Sequence, residues 1–268
     1  MLSHQSTAPR ALVATAIDMH FSGLQALKAV DVDVSPGEIV GLIGPNGSGK
    51  TTLLNVLSGV LIPTGGTIHL DAVDITRAPA HKIAAMGIAR TFQNIRLFKQ
   101  LTVLENVEVG AALHPDRPGG AALRRAARAM LEETGLADLA DRRAGTLPYG
   151  LRRRLEVARA LATNPQYLLL DEPAAGANES ESDALRELIG DLRQKHGLGI
   201  LVVEHDLRLI MRLVDRIVVL NEGRRIAAGN AAEIGVDPAV REAYLGRRAV
   251  GGRRPGETAE APVEAAPA

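Results

Sequence analysis

Nine consecutive residues, Gly44-Pro45-Asn46-Gly47-Ser48-Gly49-Lys50-Thr51-Thr52, constrain this chain more than any other stretch. They fit the spacing G-x-x-x-x-G-K-[ST]. The glycines let successive backbone N–H groups turn inward onto an anion, where a Cβ would hinder them. Lys50 can then reach the β- and γ-phosphates of a nucleotide, and the Thr51 hydroxyl suits Mg²⁺. Residues 38–43 before the loop have the apolar character of a buried strand, and 51–57 open an apolar-periodic helix. Strand, glycine loop and helix N-terminus together place an anion where the helix dipole favours it. A chain built around this segment is expected to bind a nucleoside triphosphate on an α/β scaffold.

The rest of the chain is compatible with such a scaffold. At 268 residues it can hold one large α/β domain or two small ones. Aromatic residues make up only 2%, so Leu, Val, Ile and Ala must fill the core. A formal net charge of +0 supplies no overall field to gather nucleic acid, and no nucleic-acid partner is expected. The absence of cysteine excludes disulfides, thiolate metal sites and cysteine nucleophiles. No apolar run approaches the roughly 18 residues of a membrane helix. The short run at 11–17 leads straight into Asp18 and is expected to be a first strand rather than a signal peptide. Any membrane role should therefore come through a partner.

Along the chain, residues 1–10 look like a loose terminus, and 11–34 alternate as short β-like runs, with strict period two at Val30-Asp31-Val32-Asp33-Val34. A turn at 35–37 enters the phosphate-loop strand, and a strand is expected at 67–70 after a turn at 63–66. From about 95 to 165 the pattern is helical, with helices at 121–134 and 151–163 and a loop at 115–120. Strands return at 167–171, 199–203 and 216–220, and a helix at 182–195 between the first two makes a βαβ crossover with parallel strands. From 247 onward no periodicity remains, and a disordered tail is expected.

Tyr167-Leu168-Leu169-Leu170 ends in Asp171 and Glu172. A buried strand that delivers acids at its C-terminal edge puts them beside the phosphate loop of the same sheet. Asp171 suits Mg²⁺, and Glu172, on the other face, could orient an attacking water. His205 follows the strand at 199–203, where an imidazole can bond a γ-phosphate oxygen or the attacking water. Gln93, in Arg90-Thr91-Phe92-Gln93-Asn94, can offer a neutral carbonyl oxygen to Mg²⁺ or water.

In this order the pieces resemble the ATP-binding cassette (ABC) ATPases over residues from about 10 to 246. Gln93 is similar to that family's glutamine loop, Asp171 and Glu172 to its Walker B strand and catalytic carboxylate, and His205 to its switch histidine. Leu147-Pro148-Tyr149-Gly150-Leu151 stands where the family has Leu-Ser-Gly-Gly-Gln, and Phe21 where an aromatic stacks on adenine. The resemblance implies a nucleotide-hydrolysing core with a mostly parallel sheet, an antiparallel β subdomain and a helical signature subdomain. It also implies ATP and Mg²⁺ as cofactors and a second cassette as partner, each ATP lying between one chain's phosphate loop and the other chain's signature, here Tyr149 and Gly150.

Two departures stand out. Pro148 replaces the signature serine and has neither hydroxyl nor N–H to offer a γ-phosphate. Asn178, in Ala174-Ala175-Gly176-Ala177-Asn178, stands where many relatives have aspartate. The segment 90–98, the Leu-Pro-Tyr-Gly signature, 171–176 and the ending 237–246 look like the ATP-binding subunits of bacterial branched-chain amino-acid importers. Such subunits sit at the cytoplasmic face of the inner membrane on two permeases fed by a periplasmic binding protein. Another substrate (an amide, urea or lipopolysaccharide) stays open, as does a soluble cassette acting on nucleic acid or ribosomes. A phosphate-loop kinase would leave Gln93, His205 and the signature helix without a joint role.

Overall fold

In the computed structural model, which describes residues 11–114, 119–205 and 207–250, two antiparallel strands open the chain. Strands β1 (Leu12–Phe21) and β2 (Leu24–Val34) turn at Ser22 and Gly23, whose φ angles of 33 and 95° give the hairpin turn that matches strand twist. The sequence suggests shorter runs here because irregularities between Ala14 and His20 break the alternation without ending the pairing. Then come β3 (Ile39–Ile43), α1 (Lys50–Leu57), β4 (Gly65–Leu70), β5 (Val73–Asp74), α2 (Ala80–Ala85) and β6 (Ile88–Arg90). Helices α3 (Val103–Ala111), α4 (Gly120–Glu133) and α5 (Tyr149–Leu161) follow. The chain continues through β7 (Tyr167–Asp171), α6 (Glu179–His196), β8 (Gly199–Val203), α7 (Leu207–Leu213), β9 (Arg216–Asn221) and β10 (Arg224–Gly229), ending with α8 (Ala231–Val236) and α9 (Pro238–Val250).

The strands divide into a four-stranded antiparallel sheet, β2-β1-β4-β5, and a six-stranded sheet, β10-β9-β3-β8-β7-β6. In the second, all neighbours are parallel except the β10–β9 edge pair. The large sheet is covered on both faces, so its strands are apolar throughout and alternate residues serve different cores. Val40, Leu42, Leu169, Leu201, Val203, Val218 and Leu220 face the antiparallel sheet, with Leu53, Leu54, Val56 and Leu57 of α1 packed between the two. Ile39, Ile43, Leu168, Leu170, Ile200, Val202, Ile217 and Val219 face the other way, onto α5, α6 and α7. A one-residue slip would exchange these sets, so register is tightly specified.

A third core joins α3, α4 and α5 through Val103, Leu104, Val107, Leu131, Leu155 and Ala158. The α3–α5 approach is set by Gly110, where a Cβ would lie 2.2 Å from the Arg159 carbonyl oxygen. Helix α5 starts two residues earlier than its periodicity suggests, so Tyr149 and Gly150 lie in its first turn. Helix α6 likewise starts at Glu179, because Asn178 caps it: its side chain accepts from the Glu181 N–H while Glu181 accepts from the Asn178 N–H. Helix α9 runs to Val250, beyond the boundary expected at 246. The loose terminus expected at 1–10, most of the loop expected at 115–120 and the tail from 251 lie outside the described residues.

Candidate functional site

The phosphate-loop segment leaves β3 and enters α1 through Gly49, the α1 N-cap at φ 105°. Its first glycine is required by space as well as conformation: a Cβ on Gly44, at φ 151°, would lie 2.1 Å from the Leu220 carbonyl oxygen. Lys50 is buried, and its Nζ donates to the carbonyl oxygens of Gly44 (2.8 Å) and Pro45 (3.0 Å). The loop's own carbonyls thus hold the ammonium across its mouth. Ser48 is buried, and its hydroxyl has no hydrogen-bond partner.

Asp171 closes β7, buried. Its Oδ2 accepts from Nη2 of Arg90 at 2.9 Å, and its Oδ1, also buried, has no partner. Burial pushes the Asp171 carboxyl above the usual carboxylate range, and the Arg90 guanidinium acts against this. Arg90 is further held by Asn55 and Ser58 of the α1 end, at 2.7 and 3.0 Å. Glu172 follows at φ 47°, an uncommon conformation for a non-glycine residue, fixed by its N–H donating to Val203 O at 2.9 Å. Its Oε2 accepts from Nε2 of Gln93 at 2.8 Å, which leaves the Gln93 amide oxygen as the group for a metal or water. His205 lies exposed after β8, its Nδ1 3.8 Å from Oε2 of buried Glu204. Burial pushes the Glu204 carboxyl up, against a 2.7 Å bond from the Ala174 N–H.

These pieces meet at an open cleft of ≈ 1090 Å³. It is lined by Gly44, Pro45, Asn46, Gly47, Gly49, Lys50, Thr51 and Thr52 of the phosphate loop together with Phe21, Gln93, Glu172 and His205. Asp171 and Ser48 are buried and do not line it. Tyr149 and Gly150 are elsewhere, in a smaller hollow of ≈ 170 Å³ beside Pro173 and Glu181. Sequence reasoning missed Arg90, Glu204 and Tyr244. Arg90 lay inside a segment already singled out, but its partner is 81 positions away. Tyr244 of α9 lines the cleft, and burial pushes its phenol up.

Among the described residues no group of three or more His, Cys, Asp or Glu could hold a metal ion. Mg²⁺ does not need one: it binds through one or two protein oxygens and completes its shell with phosphate and water. The unpartnered Oδ1 of Asp171, with the Thr51 hydroxyl and the Gln93 amide oxygen, fits that donor set.

A family model described as ABC transporter matches residues 27–175. The chain belongs to the ABC transporter family. A second model, branched-chain amino acid ATP-binding cassette transporter, matches residues 224–250 of this cassette, from β10 through α9. The cassette is 46% identical over 248 residues to the high-affinity branched-chain amino acid transport ATP-binding protein BraF of Pseudomonas aeruginosa, covering 88% of this chain and 97% of that one. Its fold is similar to the ADP conformation of MJ1267, an ATP-binding cassette of an ABC transporter (TM-score 0.82, 32% identity, 89% of this chain and 100% of that one). It is also similar to the dimeric structure of MJ0796, a bacterial ABC transporter cassette (TM-score 0.75, 27% identity, 82% and 98%). No helix of the described residues is long and apolar enough to cross a membrane.

Proposed function

We propose that this cassette hydrolyses ATP at the 44–52 cleft and passes the energy to two permease subunits that import branched-chain amino acids. The observation that carries the catalytic reading is the 2.8 Å Gln93–Glu172 bond, which holds a carboxylate and an amide together in the cleft lined by the phosphate loop. Glu172 polarises the attacking water, with Gln93 fixing its direction. His205 bonds the γ-phosphate. Lys50 leaves the Gly44 and Pro45 carbonyls for the β- and γ-phosphates, and N–H groups of the 44–52 loop bind the remaining oxygens. Phe21 stacks on the adenine. Thr51, Gln93 and Asp171 hold Mg²⁺, which when bound supplies positive charge against the triphosphate. Catalysis is then positioning and charge stabilisation, as in phosphoryl transfer generally.

A second cassette completes each site. Tyr149 and Gly150, at the N-terminus of α5, face that partner's ATP, and because Pro148 supplies no hydroxyl the contact uses backbone donors and the helix dipole. The solute assignment is supported by the BraF likeness and by the separate match at 224–250. In this reading the chain lies on the cytoplasmic face of the inner membrane, bound through its permeases, with the periplasmic binding protein acting on it only indirectly. The test is pull-down of the chain from detergent-solubilised membranes with the partners identified. Two permeases whose reconstituted complex imports leucine and isoleucine are expected; recovery of ribosomes or nucleic acid instead would end the transport reading.

A further inference from the structure

Arg153, one turn into α5, is 2% exposed and among the largest fully buried side chains of the described residues. Arginine is rarely buried unless its donors are satisfied; here Nε has no partner, while Nη1 and Nη2 join two segments, the 92–93 turn and the first turns of α5. Nη1 donates to Phe92 O (2.7 Å) and to Glu156 Oε2 (2.8 Å). Nη2 donates to Gln93 O (2.8 Å) and to the Tyr149 hydroxyl (3.1 Å). Glu156, equally buried, accepts from the N–H groups of Phe92 (3.4 Å) and Arg96 (3.3 Å). The Phe92 ring is also flanked by the guanidinium groups of Arg90 and Arg96, 4.9 and 4.1 Å from its centroid. The 92–96 loop has no strand or helix of its own, so α5 dictates its course. Gln93 is therefore held at both ends: its carbonyl by Arg153 and its side-chain amide on Glu172.

We propose that Arg153 is a positioning residue that joins the signature turn to the catalytic carboxylate, running from Tyr149 through its guanidinium and the Gln93 main chain to Glu172. This rests on the reading that Tyr149 and Gly150 meet the ATP of a second cassette. Under it, the state of the partner's ATP is transmitted to this chain's own water-activating pair. The planar fork of arginine is needed, because a lysine ammonium cannot serve two carbonyls, a carboxylate and a phenol in this geometry.

Two measurements on the purified full-length chain decide it. Without nucleotide, Arg153→Lys is expected to speed hydrogen exchange at the Phe92 and Arg96 amides about tenfold relative to the rest of the domain. Glu156→Gln reads the same amides should the lysine variant not fold, and unchanged exchange in a folded variant overturns the proposal. The second is a double-variant cycle on ATP turnover with Gln93→Ala and Tyr149→Phe, which touch opposite ends of the link. Linked residues predict a double variant no slower than Gln93→Ala alone; a slowing equal to the product of the two single effects overturns the link. Absence of ATP turnover in the wild type counts against the proposed function, and the exchange measurement, independent of ATP, then decides the link by itself.

Discussion

Lys50 shows how a single residue can be held ready by its own loop. Its ammonium rests on two backbone carbonyls, and in the proposed function it leaves them for a triphosphate, so removing it would take away a charge-assisted bond to phosphate. Lys50→Ala is expected to weaken ATP binding by about 2 kcal/mol. Titration with a fluorescent nucleotide checks this, and unchanged affinity would contradict the loop's assigned role. Glu204 carries a pH dependence. Its carboxyl is buried and its folded-state pKa lies above the ordinary 4.5, so the native chain holds this proton more tightly than the unfolded chain. That contribution is fully present below pH 4.5 and is lost as pH rises through the folded pKa. Glu204→Gln keeps an oxygen for the Ala174 N–H and removes the titration. The variant should gain on the wild type as pH rises from about 4.5 through the folded pKa, with the difference vanishing in acid, as read by urea unfolding across pH.

At the scale of elements, the departures Asn178 and Pro148 have local roles in the fold. Asn178 forms a capping box on α6, and Asn178→Ala should cost about 1 kcal/mol in denaturant unfolding. Pro148 is the N-cap of α5, where a missing N–H costs no helix bond. Most strands of the large sheet were legible because both faces are buried, leaving continuous apolar runs bounded by turn residues. Strand β7 ends at Asp171 as its pattern suggests, and β8 at Val203. The hairpin of β1 and β2 was legible only in part, since its irregular pairing breaks period two. Helix starts at Tyr149 and Glu179 came earlier than periodicity shows, because a first turn is set by its cap and need not carry the apolar stripe.

For the whole molecule, the cleft is open, and Tyr149 and Gly150 lie outside it. The proposed two-chain site predicts that Glu172→Gln retains ATP binding and lowers phosphate release at least about a hundredfold. In size-exclusion chromatography with ATP that variant should elute as a dimer while the wild type stays monomeric; normal turnover in the variant would refute the catalytic assignment of Glu172. The phosphate-loop spacing, the acids after an apolar strand and the βαβ pattern were determined by sequence alone, because each is a local arrangement whose chemistry is complete within a few residues. The Arg90–Asp171 pair, the Glu204 bond to Ala174 and the Arg153 link from Tyr149 to Gln93 were decided only by tertiary structure. Their partners lie 81, 30 and 60 positions apart, except for Tyr149, one helical turn from Arg153. Nothing in a linear pattern says which buried charge will meet which; packing the strands and helices into one sheet-centred body does.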